Sequence, residues 1–156
     1  MERCVIVNCE LSYLLLILSS FLSQSLEKPQ FMTNKIKILI AEDNDFVRMQ
    51  IVQYLTSEAY ELVEAIDGAT ALELVNEGGV DMAIVDVRME PVDGFEFIKK
   101  IRANEINIPA ILVTGDNDPE LLSKANEWEV GAVLIKPIQK DRLLQTVERL
   151  LQRRNG

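Results

Sequence analysis

The 156 residues include no histidine and only two cysteines, Cys4 and Cys9, both close to the amino terminus. The missing imidazole excludes Ser-His-Asp and Cys-His catalysis, His-ligated zinc or haem, and a phosphohistidine carried on this chain. Two cysteines are too few for a zinc site or a disulfide framework. Positive charge is also short: 16 Lys+Arg stand against 25 Asp+Glu, a formal net charge of -9. That balance repels nucleic-acid phosphates and anionic lipid, so no nucleic-acid partner is expected, while an acidic local site would attract a divalent cation. Long apolar runs are absent too. Leu11 to Leu22 (LSYLLLILSSFL) is the most apolar stretch, and it falls short of the ~20 residues a membrane span needs. What remains is 48% hydrophobic and 26% charged, the composition of one ordinary globular domain, without internal repeats or low-complexity segments.

The first 31 residues differ from the rest. The run from Leu11 to Leu22 has a signal peptide's apolar length and Ser23 and Ser25 give a small-x-small pattern, but Glu2 and Arg3 cancel where positive charge would be needed. Three readings are open: a weak export or tethering segment, an extra strand or helix, or residues upstream of a true start at Met32. The last is favoured, because Met32-Thr-Asn-Lys leads directly into the first well-patterned strand and Pro29 breaks the chain just before it. The domain is therefore taken as 32–156, with 1–31 as an extension.

From Lys35 onward, short apolar runs alternate with amphipathic stretches. Ile36 to Ala41, Met82 to Val85, Ala110 to Val113 and Ala132 to Ile135 are nearly continuous in Ile, Leu, Val and Ala, as parallel strands covered on both faces should be. Tyr60 to Ile66 is interrupted by Glu61 and Glu64, which suits a partly exposed edge strand. Helices are expected from Asn44 or Asp45 with a Phe46, Val47, Ile51, Val52, Leu55 face, from about Ala69 to Asn76, from about Gly94 to Asn104, and from Asp118 as cap with Pro119 at the first helical position. The last helix has an apolar stripe of Leu143, Leu144, Val147, Leu150 and Leu151, with Arg142, Gln145, Glu148, Arg149, Gln152 and Arg153 facing away. Five strands alternating with five helices predict an α/β fold, a doubly wound parallel sheet with right-handed crossovers. Gly156 follows the fifth helix closely, so no further output domain is expected.

In such a sheet, ligands bind beyond the carboxyl ends of the strands. Glu42 and Asp43 follow the first strand, Asp86 the third, Thr114 the fourth, and Lys136 with Pro137 the fifth. Taken singly, Asp43 or Asp45 reads as a helix cap, Thr114-Gly115 as a turn and Lys136 as a solvated cation. Together they place three carboxylates, a hydroxyl and an ammonium at one sheet edge. Clustered carboxylates repel and raise some pKa values unless a cation neutralises them. Mg²⁺ is the natural candidate, since it takes one or two carboxylates and bridges to phosphate oxygens. A carboxylate beside it can act as a nucleophile toward phosphorus.

The motifs AEDN at Ala41 to Asn44, VDVRM at Val85 to Met89, DG at Asp93 and Gly94, LVTG at Leu112 to Gly115 and IKP at Ile135 to Pro137 resemble those of the receiver domain of two-component response regulators, over about residues 34 to 154. The resemblance implies a five-stranded, flavodoxin-like three-layer sandwich of strand order 2-1-3-4-5. It implies Asp86 as phospho-acceptor, Glu42, Asp43, Asp86 and the backbone carbonyl of Arg88 as Mg²⁺ ligands, and Thr114 and Lys136 as contacts of the phosphoryl group. A cis Lys136–Pro137 bond is expected, at the low cost proline permits. The implied partners are a sensor histidine kinase or histidine phosphotransfer protein as donor and a downstream protein on the face of the fourth helix, fifth strand and fifth helix. The implied setting is the cytoplasm, and the implied role a stand-alone, chemotaxis-type switch with slow autodephosphorylation instead of a turnover enzyme.

Two positions depart from the family pattern. Glu90 stands where Pro is usual, with Pro91 displaced by one, and Val133 replaces the usual Tyr or Phe three residues before Lys136. Without that ring, signal must travel by backbone or helix displacement. Two other functions compete: a receiver-shaped interaction module that is never phosphorylated, and a haloacid-dehalogenase-type phosphatase using Asp43 of the Asp43-Asn44-Asp45 sequence. Arg88 and Asp116 read most simply as solvated charges; the functional alternative is that they flank the water path to Asp86. Trp128 is expected to pack against the sheet or cover the fourth helix.

Overall fold

The β-branched and aliphatic runs form a parallel sheet in the computed structural model, which describes residues 35–56, 59–116 and 119–154. The chain divides between Asn34 and Lys35, so the expectations for 1–31, including the Leu11 to Leu22 run and the boundary at Met32, lie outside the described residues. The cap expected at Asp118 does too. In chain order the elements are β1 (Ile36–Ala41), α1 (Asp45–Leu55), β2 (Tyr60–Ala65), α2 (Gly68–Asn76), β3 (Met82–Asp86), α3 (Gly94–Ala103), β4 (Ala110–Thr114), α4 (Pro119–Glu127), β5 (Ala132–Ile135) and α5 (Lys140–Arg154). All strand pairs are parallel and the order is β2-β1-β3-β4-β5. This is the predicted topology, and β2 is an edge strand as its two glutamates indicated.

Period-two alternation along the central strands divides the core between the sheet's two faces. Ile38, Ile40, Ile84, Ile111 and Val113 pack with Ile51 and Leu55 of α1 and with Leu143, Val147 and Leu150 of α5. Leu39, Ala41, Val85 and Leu112 pack on the other side with Val75 of α2 and with Phe97, Ile98 and Ile101 of α3. Trp128, just past α4, packs partly buried against this second cluster, and the Lys99 ammonium lies 5.9 Å from its ring centroid, within cation–π range.

One residue of the expected α1 face is misplaced. Phe46 is 75% exposed. It precedes Ile51 by five residues, which at 3.6 residues per turn puts it roughly 140° around the helix from the buried stripe. Leu144 is only partly buried, and the stripe of α5 is completed by Thr146, whose hydroxyl donates to the Arg142 carbonyl at 2.7 Å and so carries no unpaired polar group inward. Among the described residues no helix is long and apolar enough to cross a membrane.

Register decides what meets at the sheet's carboxyl edge. Ala41 pairs with Ala65 and with Val85, Asp86 with Val113, and Thr114 with Ile135. Strands that end level deliver Glu42, Asp86, Thr114 and Lys136 to the same edge.

Candidate phosphoacceptor and metal site

The loops that carry these residues are held by local sequence. After β1, the Asn44 side chain accepts from the N–H groups of Phe46 and Val47, at 3.0 and 3.2 Å, and starts α1. After β3, Asp93 caps α3 by accepting from the Glu96 N–H at 2.8 Å. Gly94 follows because the helix start lies against the end of β3: a Cβ there would come within 2.4 Å of the Asp86 carbonyl oxygen. After β5, the Lys136 N–H donates to the Thr114 carbonyl at 2.7 Å, and the Lys136–Pro137 peptide is cis, as is Glu90–Pro91.

Four of the expected residues converge. Glu42, Asp43 and Asp86 each bring a carboxylate oxygen into a cluster whose members lie within 4.8 Å of one another. The Lys136 ammonium reaches two of them, donating to Glu42 Oε1 at 2.9 Å and lying 3.0 Å from Asp86 Oδ1. Glu42 is fully buried and Asp86 nearly so, while Asp43 is exposed. Burial raises the pKa of both Glu42 and Asp86, against the opposing pull of Lys136; Asp86 raises Glu42 further, and Asp43 does the same to Asp86. For Lys136 burial works against the ammonium, but its bonds to Glu42 and Asp86 outweigh this and its pKa rises.

A single ammonium facing three carboxylates leaves negative charge uncompensated. Glu42 Oε2 is buried and accepts no hydrogen bond, although the Lys136 Nζ lies 2.8 Å away; the contact is ionic and off the hydrogen-bonding direction. A buried anionic oxygen without a hydrogen-bond donor, beside two more carboxylates, is the donor set a hard divalent cation takes. The residues present therefore fit Mg²⁺.

Thr114 stands at the end of the neighbouring strand, almost wholly buried. Its Oγ1 accepts the Asp116 N–H at 3.0 Å, which leaves the hydroxyl proton free to donate elsewhere. The Arg88 backbone amide favours the ionised form of Asp86, and the Arg88 guanidinium is bonded to the Asp116 carboxylate. Arg88 and Asp116 are thus paired at the surface, linking the loops after β3 and β4. Val133 is partly buried against the α2–α3 side of the sheet.

The sequence motifs did not single out Arg48, which packs behind the acidic loop. Its guanidinium donates to the Glu42 carbonyl at 2.8 Å, to Asp45 at 2.5 Å and to Glu64 at 3.1 Å. A signal was present nonetheless: a cation in the first turn of a helix opposes the helix dipole, so its place there needs another cause.

Comparison with known proteins agrees with this fold. The sequence profile of the response regulator receiver domain matches residues 38–148. The transcriptional regulatory protein PdtaR of Mycobacterium tuberculosis is 33% identical over 118 residues, covering 75% of this chain and 57% of the relative. The CAI-1 autoinducer sensor kinase/phosphatase CqsS of Vibrio cholerae is also 33% identical, over 71% of this chain but only 17% of its own length. For the chemotaxis protein CheY of Treponema pallidum the identity is 29%, with 74% and 83% covered. The chain thus spans less than two thirds of the length of these first two relatives. Among solved structures, the receiver domain of the Francisella response regulator 1452 superposes with a TM-score of 0.72 at 27% identity, covering 76% of this chain and 98% of that one. A Vibrio cholerae chemotaxis protein, CheY4, gives 0.69 at 29%, with 74% and 98% covered.

Proposed function

Because the chain belongs to the response regulator receiver domain family, we propose that it is a phosphoacceptor switch of a two-component phosphorelay and that Asp86 takes the phosphoryl group. The observation that carries this reading is the place of Asp86: last residue of a central strand, nearly buried, one oxygen on Lys136, and in a cluster with Glu42 and Asp43. The receiver is taken to run from Met32 to Gly156, with 1–31 as an extension.

These 156 residues hold no histidine, so the donor is a phosphohistidine outside them, on a sensor histidine kinase or a histidine phosphotransfer protein. An Asp86 oxygen lone pair forms the new O–P bond as the donor's N–P bond breaks, and that electron pair returns to the imidazole. Lys136 moves no proton; its fixed ammonium stabilises charge on the phosphoryl oxygens, and Thr114 donates its hydroxyl to another of them. Glu42, Asp43, Asp86 and the Arg88 backbone carbonyl would hold Mg²⁺. When bound, Mg²⁺ supplies the charge neutralisation that lets an anionic donor approach an anionic acceptor.

The acyl phosphate then shifts a pre-existing conformational equilibrium toward a form that presents an altered α4–β5–α5 face to a downstream protein in the cytoplasm. With Val133 in place of a large ring, the shift is one of backbone and helix, not of a side-chain rotamer. Slow hydrolysis of the acyl phosphate resets the switch, and no turnover enzyme is implied. The relatives do not favour the two competing functions, and Asp43 is exposed whereas Asp86 contacts Lys136.

Peptide mass spectrometry after treatment with acetyl phosphate and Mg²⁺ tests the assignment. One phosphoryl group on the Asp86 peptide, lost in Asp86→Asn, is expected. Label on Asp43 would instead indicate the phosphatase, and no label together with no Mg²⁺ binding the unphosphorylated module.

A further inference from the structure

The acidic loop has a second support besides Lys136. Glu42 is the first residue beyond β1, and its backbone is held on both sides. Its N–H donates to the Ala65 carbonyl at 3.2 Å, and its carbonyl accepts from Arg48 Nη1 at 2.8 Å. The same guanidinium bonds Glu64 of β2 through Nε and Asp45 at the start of α1 through Nη2. Three acceptors from three separate segments thus converge on one planar group, whose side chain is only 11% exposed. Only a guanidinium presents donors in such a fork; an ammonium is a point charge that cannot satisfy three fixed directions together.

We propose that Arg48 is a positioning residue of the divalent-cation site, fixing the turn that aims the Glu42 and Asp43 carboxylates. Outer groups that orient metal ligands typically change affinity by ~10–100-fold when removed. The inference rests on reading Glu42, Asp43 and Asp86 as the Mg²⁺ site. It carries a sign that charge alone would reverse. Arg48 is a cation beside an acidic cluster, so its removal should tighten cation binding if only Coulomb repulsion mattered. Loss of the fork should weaken it.

The test is an amide NMR titration of the full chain with MgCl₂, for the parent, Arg48→Met and Arg48→Lys, each first checked for a cooperative thermal transition in EDTA. Mg²⁺ affinity should fall about tenfold or more in Arg48→Met. It should fall in Arg48→Lys as well, because the charge survives but the fork does not. Should the methionine variant fail to fold, the lysine variant decides. Equal or tighter Mg²⁺ binding in a folded variant overturns the positioning role while leaving the site assignment intact. A parent that shows no Mg²⁺-dependent shifts at the loop overturns both.

Discussion

Replacing Lys136 by Met removes the ammonium that stands between two buried carboxylates while keeping most of the side chain's length and apolar bulk. The substitution abolishes the ion pairs at 2.9 and 3.0 Å with Glu42 and Asp86, whose side chains are 1% and 5% exposed. At an effective dielectric near 20, each such pair is worth about 5.5 kcal/mol before desolvation is counted. Removing one partner of a buried pair costs ~3–5 kcal/mol, because the other charges stay behind uncompensated. Against a total stability of about 5–15 kcal/mol, that loss shifts the urea midpoint of the EDTA-treated protein down by roughly 1 M or more at unchanged m-value. The pH dependence has a fixed sign. Glu42 and Asp86 already have raised pKa values in the fold, so their protonated forms are favoured there, and stability falls as pH rises through those values. Lys136→Met raises both further. Its deficit is therefore small where the carboxyls are protonated in the folded protein and largest once the pH lies above their folded-state pKa values. A loss below about 1 kcal/mol at pH 7.5, or one that does not shrink on acidification, would refute the electrostatic account of the site.

Other outcomes follow from neighbouring interactions. Arg88→Ala cuts the exposed tie to Asp116 and should speed loss of the phosphoryl group by no more than about fivefold, since an exposed pair is worth at most ~1 kcal/mol; a dephosphorylation rate equal to the parent's removes the idea. Gly94→Ala drives a methyl to within 2.4 Å of the Asp86 carbonyl oxygen, where backbone must yield, so urea unfolding should show a loss of ~1–3 kcal/mol; a neutral result would mean that α3 shifts freely. Asn44→Ala strips the cap from α1 and should cost ~0.5–2 kcal/mol by the same measurement, with a cost near zero contradicting the cap.

Most of the fold was legible because burial on both faces of a parallel sheet forces near-continuous aliphatic runs. The predicted limits of β1 and β5 match the structure, and Glu61 and Glu64 marked β2 as the edge. The failures have local causes. Phe46 begins an apolar pattern and so reads as inward-facing, but helical geometry turns it about 140° from Ile51. Arg88 and Asp116 are exposed charges as expected, and only the fold shows that they pair, because they lie 28 residues apart in the chain. The role of Arg48 is not legible in the sequence because its hold on the acidic loop depends on where β2 passes α1.

Residue types and their order determined by themselves that no histidine chemistry is available, that five strands alternate with five helices, and that each candidate group follows a strand. Tertiary structure decided how strongly those groups interact. Ion-pair strength depends on separation and solvent exclusion, and both are set by register: level strand ends bury Glu42, leave Asp43 exposed, and put Lys136 on Glu42 and Asp86 at once.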